Sequence, residues 1–154
     1  MFFKKNFLRI SIILFFLLFT HQQNASEILI YADKISYDQQ NNIVAKGKAK
    51  ILYENNIISS DLIIYSQTTG DITLPIEFSL KDQRNNYYYG SSGFFESNFE
   101  LAEINDVKVL LEDGSRIVGK KIKRDHNIDV ISKGVYSPCN SKIKIANFLC
   151  PIWQ

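Results

Sequence analysis

The sequence predicts an all-β protein, and three observations carry that expectation. Ile, Tyr, Phe, Val and Thr are abundant while Ala is scarce, a mix suited to pleated, half-buried strands. Beyond residue 26, apolar and polar residues alternate with a period of two. No segment there sustains a 3.6-residue apolar stripe, so little or no helix is expected. A chain of 154 residues has room for one domain.

The opening segment reads differently. Lys4, Lys5 and Arg9 begin the chain, Ile10 to Phe19 is apolar except for Ser11, and polar His21 to Asn24 precede the small pair Ala25 and Ser26. This is the layout of a signal-peptide helix over residues 1–25, followed by one domain over 26–154. The apolar core falls well below the roughly 20 residues of a spanning helix. An uncleaved anchor is the competing reading.

The elements then follow in order. Glu27 to Ala32 is the first strand, and Asp38 to Asn42 a turn. From Ile43 to Tyr53, Ile43, Ala45, Gly47, Ala49, Ile51 and Tyr53 share one face, and Lys46, Lys48 and Lys50 the other. Gln67 to Asp71 is a second turn. Ile72, Leu74, Ile76, Phe78 and Leu80 share the next face, with Pro75 demanding an edge or a bulge because it has no N–H for the ladder. Lys81 to Asn86 reads as a polar loop. Val107, Val109 and Leu111 lead into the hairpin turn Glu112-Asp113-Gly114-Ser115, and Ile117 begins the return. Ala32-Asp33-Lys34-Ile35-Ser36-Tyr37 is echoed by Ser60-Asp61-Leu62-Ile63-Ile64-Tyr65, which suggests a repeated two-strand unit. The repeated Asp binds backbone near a strand start or is simply solvated.

Several function classes are disfavoured. Without Lys4, Lys5 and Arg9, 15 basic residues face 16 acidic ones, which makes no electrostatic case for nucleic acid. The chain has no G-x-S-x-G, H-E-x-x-H or P-loop pattern, and Asp125-His126 is only a dyad in a polar stretch, so no catalytic residues, cofactor or enzymatic activity are assigned. Cys139 and Cys150 match no metal spacing, and no metal site is expected. Export to an oxidising compartment makes a disulfide possible. The dense aromatic stretch of Tyr87, Tyr88, Tyr89, Phe94, Phe95 and Phe99 suits strand packing better than base or sugar stacking.

Ala32-Asp33 through Tyr37-Asp38, with Val44 to Ala49, resembles the organic-solvent-tolerance (OstA-like) repeat of the lipopolysaccharide transport proteins LptA and LptD. Leu111 to Arg116, Arg124, Val135-Tyr136-Ser137-Pro138-Cys139 and Pro151-Ile152-Trp153-Gln154 look like the end of the periplasmic domain of LptD-like proteins. The resemblance covers Glu27 to Gln154. It departs from the family where the text stops at Gln154 instead of continuing into a barrel, and where Asn140-Ser141 follow Cys139 in place of a nearby second Cys.

The resemblance implies an open, twisted β-jellyroll of OstA/LptA type in the periplasm, associated with the outer membrane. Its inward side chains would form an apolar groove for lipid A acyl chains. Small Ala45, Gly47 and Ala49 would leave room, and Ile35, Ile64, Ile76, Phe78 and Val109 would line the walls; plain core is the alternative for each. Such modules join by edge-strand pairing, with Glu27 to Ala32 as the receiving edge for an LptA-like jellyroll. Lys46, Lys48 and Lys50 attract lipopolysaccharide phosphates or form a solvated face. Cys139 pairs with Cys150 or with another chain, including a separately encoded LptD-like barrel. Two other readings stay open: a structural β-scaffold without lipid, and a non-functional truncated remnant of a split LptD-like gene.

Overall fold

The computed structural model describes residues 27–97, 99–126 and 128–138; the expected leader, Cys139, Cys150 and Pro151 to Gln154 lie outside them. The described residues form twelve strands and no helix. They are β1 (Ile28–Tyr31), β2 (Lys34–Tyr37), β3 (Ile43–Tyr53), β4 (Asn56–Tyr65), β5 (Ile72–Leu74), β6 (Phe78–Lys81), β7 (Tyr87–Gly90), β8 (Ser92–Phe95), β9 (Leu101–Leu110), β10 (Arg116–Asp125), β11 (Ile128–Ser132) and β12 (Val135–Ser137).

The pairing resolves these into eight long antiparallel arms, each bent once: β1 with β2, β3, β4, β5 with β6, β7 with β8, β9, β10, and β11 with β12. One sheet, the back sheet, holds β2, the start of β3, the end of β4, β5, β8, the start of β9, the end of β10, and β11. The front sheet holds β1 and the other halves, with β6, β7 and β12. The fold is thus one up-and-down meander folded along a crease.

The crease crosses each arm once, at nearly even spacing along the chain, near Asp33, Gly47, Asp61, Ile76, Ser91, Asp106, Lys120 and Lys133. Its chemistry is local. Gly47 has φ +76, and a side chain there would start 2.7 Å from Asp33 Oδ2. Asp33 N–H donates to Gly47 O at 2.9 Å, and Lys48 N–H donates to Asp61 Oδ1 at 3.2 Å. Asp33 through its main chain and Asp61 through its carboxylate therefore flank one bulge from both sides, and their offset spans two creases. On the other half, Asp106 (φ 48) accepts from Ser91 Oγ at 2.8 Å and Lys120 Nζ at 2.5 Å. Left-handed conformations at Lys48 and Asp106 cost energy, which these bonds offset.

The hairpin tips use one recurrent device. Asp38 Oδ1 accepts from the N–H groups of Gln40 and Asn42, and Asp82 Oδ1 from those of Arg84 and Asn86. Asn41 and Asn85 occupy the left-handed position that closes such short loops. The two tips share the pattern Asp-Gln-x-Asn-Asn, a second repeat that the sequence reading passed over.

The core lies between the sheets. Phe78 from the front meets Phe95 from the back edge to face, with centroids 5.9 Å apart. Gly90 and Gly93 make room for that ring, since a Cβ on either would come within 2.8 Å of it. Two expectations need correction. Ile72 to Leu80 is not one continuous strand: it breaks at the crease around Pro75, which sits in mid-sheet, and Ile76 turns out to solvent at 40 % exposure. Ile64 points outward and Ile63 is buried, because alternation along β4 slips by one residue at Asp61.

Candidate functional site

The inward faces carry two apolar rows that run across the strands. In the front sheet, Ile30, Ile51, Ile58, Leu80, Tyr88, Val109, Ile117 and Tyr136 are register partners in succession, one per arm. In the back sheet, the inward row runs from Ile35, Ala45 and Ile63 across the β4–β5 pairing to Leu74, Gly93, Ile104, Ile122 and Ile131. Seven strand spacings make each row about 34 Å long.

The rows are buried in mid-fold and surface at both sides. At one side Ile35 is 49 % exposed although it faces inward, beside inward Tyr37; at the other, inward Tyr136 is 59 % exposed. Among the described residues, β1 and β2 pair only with β3, and β11 and β12 only with β10. Both side edges therefore present unpaired backbone next to an emerging apolar seam.

The rim opposite the crease is closed by side chains. Tyr53 stacks on Phe99 at 5.5 Å, and Phe99 leans on Phe95 at 5.4 Å. Arg124 donates to Asp129 through Nε and Nη2, both at 2.8 Å, and its guanidinium lies 6.0 Å over the ring of Tyr88. The Asp129 bond raises the Arg124 pKa, so this cation is permanent. Burial pushes the Tyr88 phenol up, and Asp82 adds to it while accepting its O–H at 3.3 Å. Tyr88, Asp82, Phe99, Arg124 and Asp129 line a cleft of about 340 Å³ at the rim. His126, at the tip between β10 and β11, bonds Asp125 at 2.6 Å and lies 3.8 Å from Glu100; these neighbours raise its pKa, Asp125 most.

The sequence-predicted lining residues disperse. Ile35, Ala45 and Val109 stand on the two rows. Ala49 and Phe78 occupy the inward row nearer the crease, Gly47 is the bend itself, Ile64 faces outward and Ile76 is exposed on the crease. Cys139 and Cys150 lie outside the described residues. Sequence reading missed Ile58, Ile63, Ile104 and Ile122, whose phase is set by the bends. Of Lys46, Lys48 and Lys50, the first and last point outward and Lys48 sits on the crease. The aromatic stretch divides: Tyr88 and Phe95 are buried, whereas Tyr87, Tyr89 and Phe94 face out.

No family model matches the chain, and no curated protein matches it. Among solved structures, it is similar to the crystal structure of LptH from Pseudomonas aeruginosa, described as the LptA homologous periplasmic component of the conserved lipopolysaccharide transport device. The likeness has a TM-score of 0.54 at 15 % identity and covers 82 % of this chain and 91 % of that one. At that identity the match shows the fold: this chain is an LptA-like β-jellyroll.

Proposed function

We propose that the chain is a non-enzymatic lipopolysaccharide-transport module of the periplasm, passing acyl chains along the seam between its sheets. The observation that carries this reading is the pair of inward rows that run edge to edge and surface at Ile35 and Tyr136 beside open strand edges. An acyl chain needs an apolar path without hydrogen-bonding demands, and a row of Ile, Leu and Val supplies one. Open edges allow a second jellyroll to pair with β1 and β2 or with β11 and β12, which would join one seam to the next. The LptA-like fold supports the reading. Within it, we favour the periplasmic part of an LptD-like translocon near the outer membrane, on the Tyr136-Ser137-Pro138-Cys139 segment.

The tightly packed middle favours a second reading, a β-scaffold without lipid, because Phe78 and Phe95 fill the seam. Crosslinking separates the two. A photoreactive side chain at Ile35, Phe78 or Tyr136 should capture lipopolysaccharide, while outward Thr73 and Val130 should not. A folded protein with no adduct at any inward position would discard transport in favour of the scaffold.

A further inference from the structure

A second cleft, of about 1020 Å³, lies along the outer face of the front sheet and reaches Ala49, Ser60 and Phe78 near the crease. Its geometry follows from one outward row of register partners: Tyr31, Lys50, Ser59, Ser79 and Tyr89. Two small serines between two exposed tyrosines leave a trough along β4 and β6. Towards the rim its floor is Leu52 and Ile57, which are partners in register. Towards the crease it ends among Lys48, Lys50, Asp61 and Glu77. Among the described residues, the ammonium groups of Lys48 and Lys50 and the carboxylate of Glu77 form no ion pair, and Asp61 accepts only the Lys48 N–H.

We propose that this trough binds one zwitterionic aminophospholipid, with its phosphate at Lys48 and Lys50, its ammonium at Asp61 and Glu77, and its chains over Leu52 and Ile57. Charge decides the class. A purely anionic headgroup meets two carboxylates, and a purely cationic one meets two lysines. A headgroup carrying both signs a few bonds apart satisfies all four. A primary ammonium donates hydrogen bonds to carboxylates, which a quaternary one cannot. The tyrosine walls and aliphatic floor give the chains an apolar surface, and the volume suits a ligand of this size. The headgroup and chain contacts lie on the outward row, so binding here does not depend on transport through the seam.

The test is titration of the purified chain with dihexanoyl phosphatidylethanolamine, phosphatidylcholine and phosphatidylglycerol, each below its micelle-forming concentration. The ring signals of Tyr31 and Tyr89 report the trough, and those of Phe95, buried in the seam and absent from the trough's lining, report the seam. The ethanolamine lipid should move Tyr31 and Tyr89, leave Phe95 in place and bind more tightly than the other two. Lys50→Glu should weaken it by about fivefold or more. Glu77→Lys should shift the preference to the glycerol headgroup. Both side chains face solvent, and an unchanged melting temperature confirms that each variant folds. Equal or tighter binding of phosphatidylglycerol by the unaltered chain would reduce the trough to an anionic-lipid patch and overturn the proposal. So would stationary tyrosine signals with all three lipids, or movement of Phe95 alone, and that last result would leave the seam reading intact.

Discussion

Arg124 and Asp129 are joined by two parallel hydrogen bonds of 2.8 Å on the inward side of neighbouring strands. The pair pins edge strand β11 to β10 at the end farthest from the crease, and it sets a fixed positive charge above Tyr88 of the opposite sheet. A charged clasp inside the rim holds the apolar seam shut on this side.

Asp129→Ala removes the acceptor and leaves a half-buried guanidinium without its bidentate partner. We expect a loss of about 1–2 kcal/mol in urea unfolding, and faster amide exchange in β11 than in β3. Unchanged exchange in β11 would mean that the clasp does not hold the edge.

Gly90→Ala places a methyl 2.5 Å from Ile104 Cγ2 and 2.7 Å from Phe78 Cε1. Overpacking of this kind costs about 1–3 kcal/mol. The double variant Gly90→Ala with Phe78→Leu should lose less than the sum of the two single changes, because the shorter side chain vacates the contact. Additive losses would show that the two positions do not share the space.

Ile63 and Ile64 are chain neighbours in β4 that face opposite ways. Ile63 is fully buried on the back-sheet row, whereas Ile64 is on the opposite face of the strand and only half-buried. Ile63→Ala should cost about 2–4 kcal/mol and Ile64→Ala less than about 1.5 kcal/mol in thermal or urea unfolding. Equal costs would contradict the assigned phase of β4.

That contrast also marks how far the sequence could be read. The strand character, the limits of β3, the turn at Glu112 to Ser115 and the jellyroll class were legible, because each follows from alternation, turn chemistry or the resemblance. Phase was not. Ile72, Leu74, Phe78 and Leu80 do share a face, yet the chain bends between Leu74 and Phe78, which throws Ile76 outward. At Asp61 the slip exchanges Ile63 for Ile64, and at Asp106 the inward set passes from Ala102 and Ile104 to Val107 and Val109. A period-two reading carries no information about where two neighbouring strands bend together. The echo of Ala32 to Tyr37 in Ser60 to Tyr65 did hold that information, in Asp33 and Asp61 flanking Gly47, but its meaning depends on which strands are neighbours.

His126 supplies a pH test. Its folded pKa is raised, chiefly by the hydrogen bond to Asp125, so its stabilising contribution is fully present below the unfolded value near 6.5 and fades as pH rises through the higher folded value. His126→Asn, which tolerates the left-handed backbone at this tip (φ 54), should flatten the decline in melting temperature across that window. An unchanged profile would assign the slope to another group.

Asp106 acts in the opposite direction. Its bonds to Lys120 and Ser91 lower its pKa, so its contribution is present above the ordinary carboxylate range and is lost as pH falls through the depressed value. Asp106→Asn should remove part of the acid-side loss of stability and leave the profile above neutrality unchanged. Equal acid sensitivity in the two proteins would show that the crease bonds do not hold this carboxyl ionised.

One bend per arm, evenly spaced along the chain, means that the fold grows in whole hairpins. Adding two arms would widen both sheets by two strands, lengthen both apolar rows and restore the same pair of edges. Adding one arm would send the chain out at the opposite rim. Inserting a single residue within an arm would put one sheet out of phase while sparing the other. Length variation in proteins of this plan should therefore be stepped, with viable sizes spaced by the hairpin and small insertions confined to the tips.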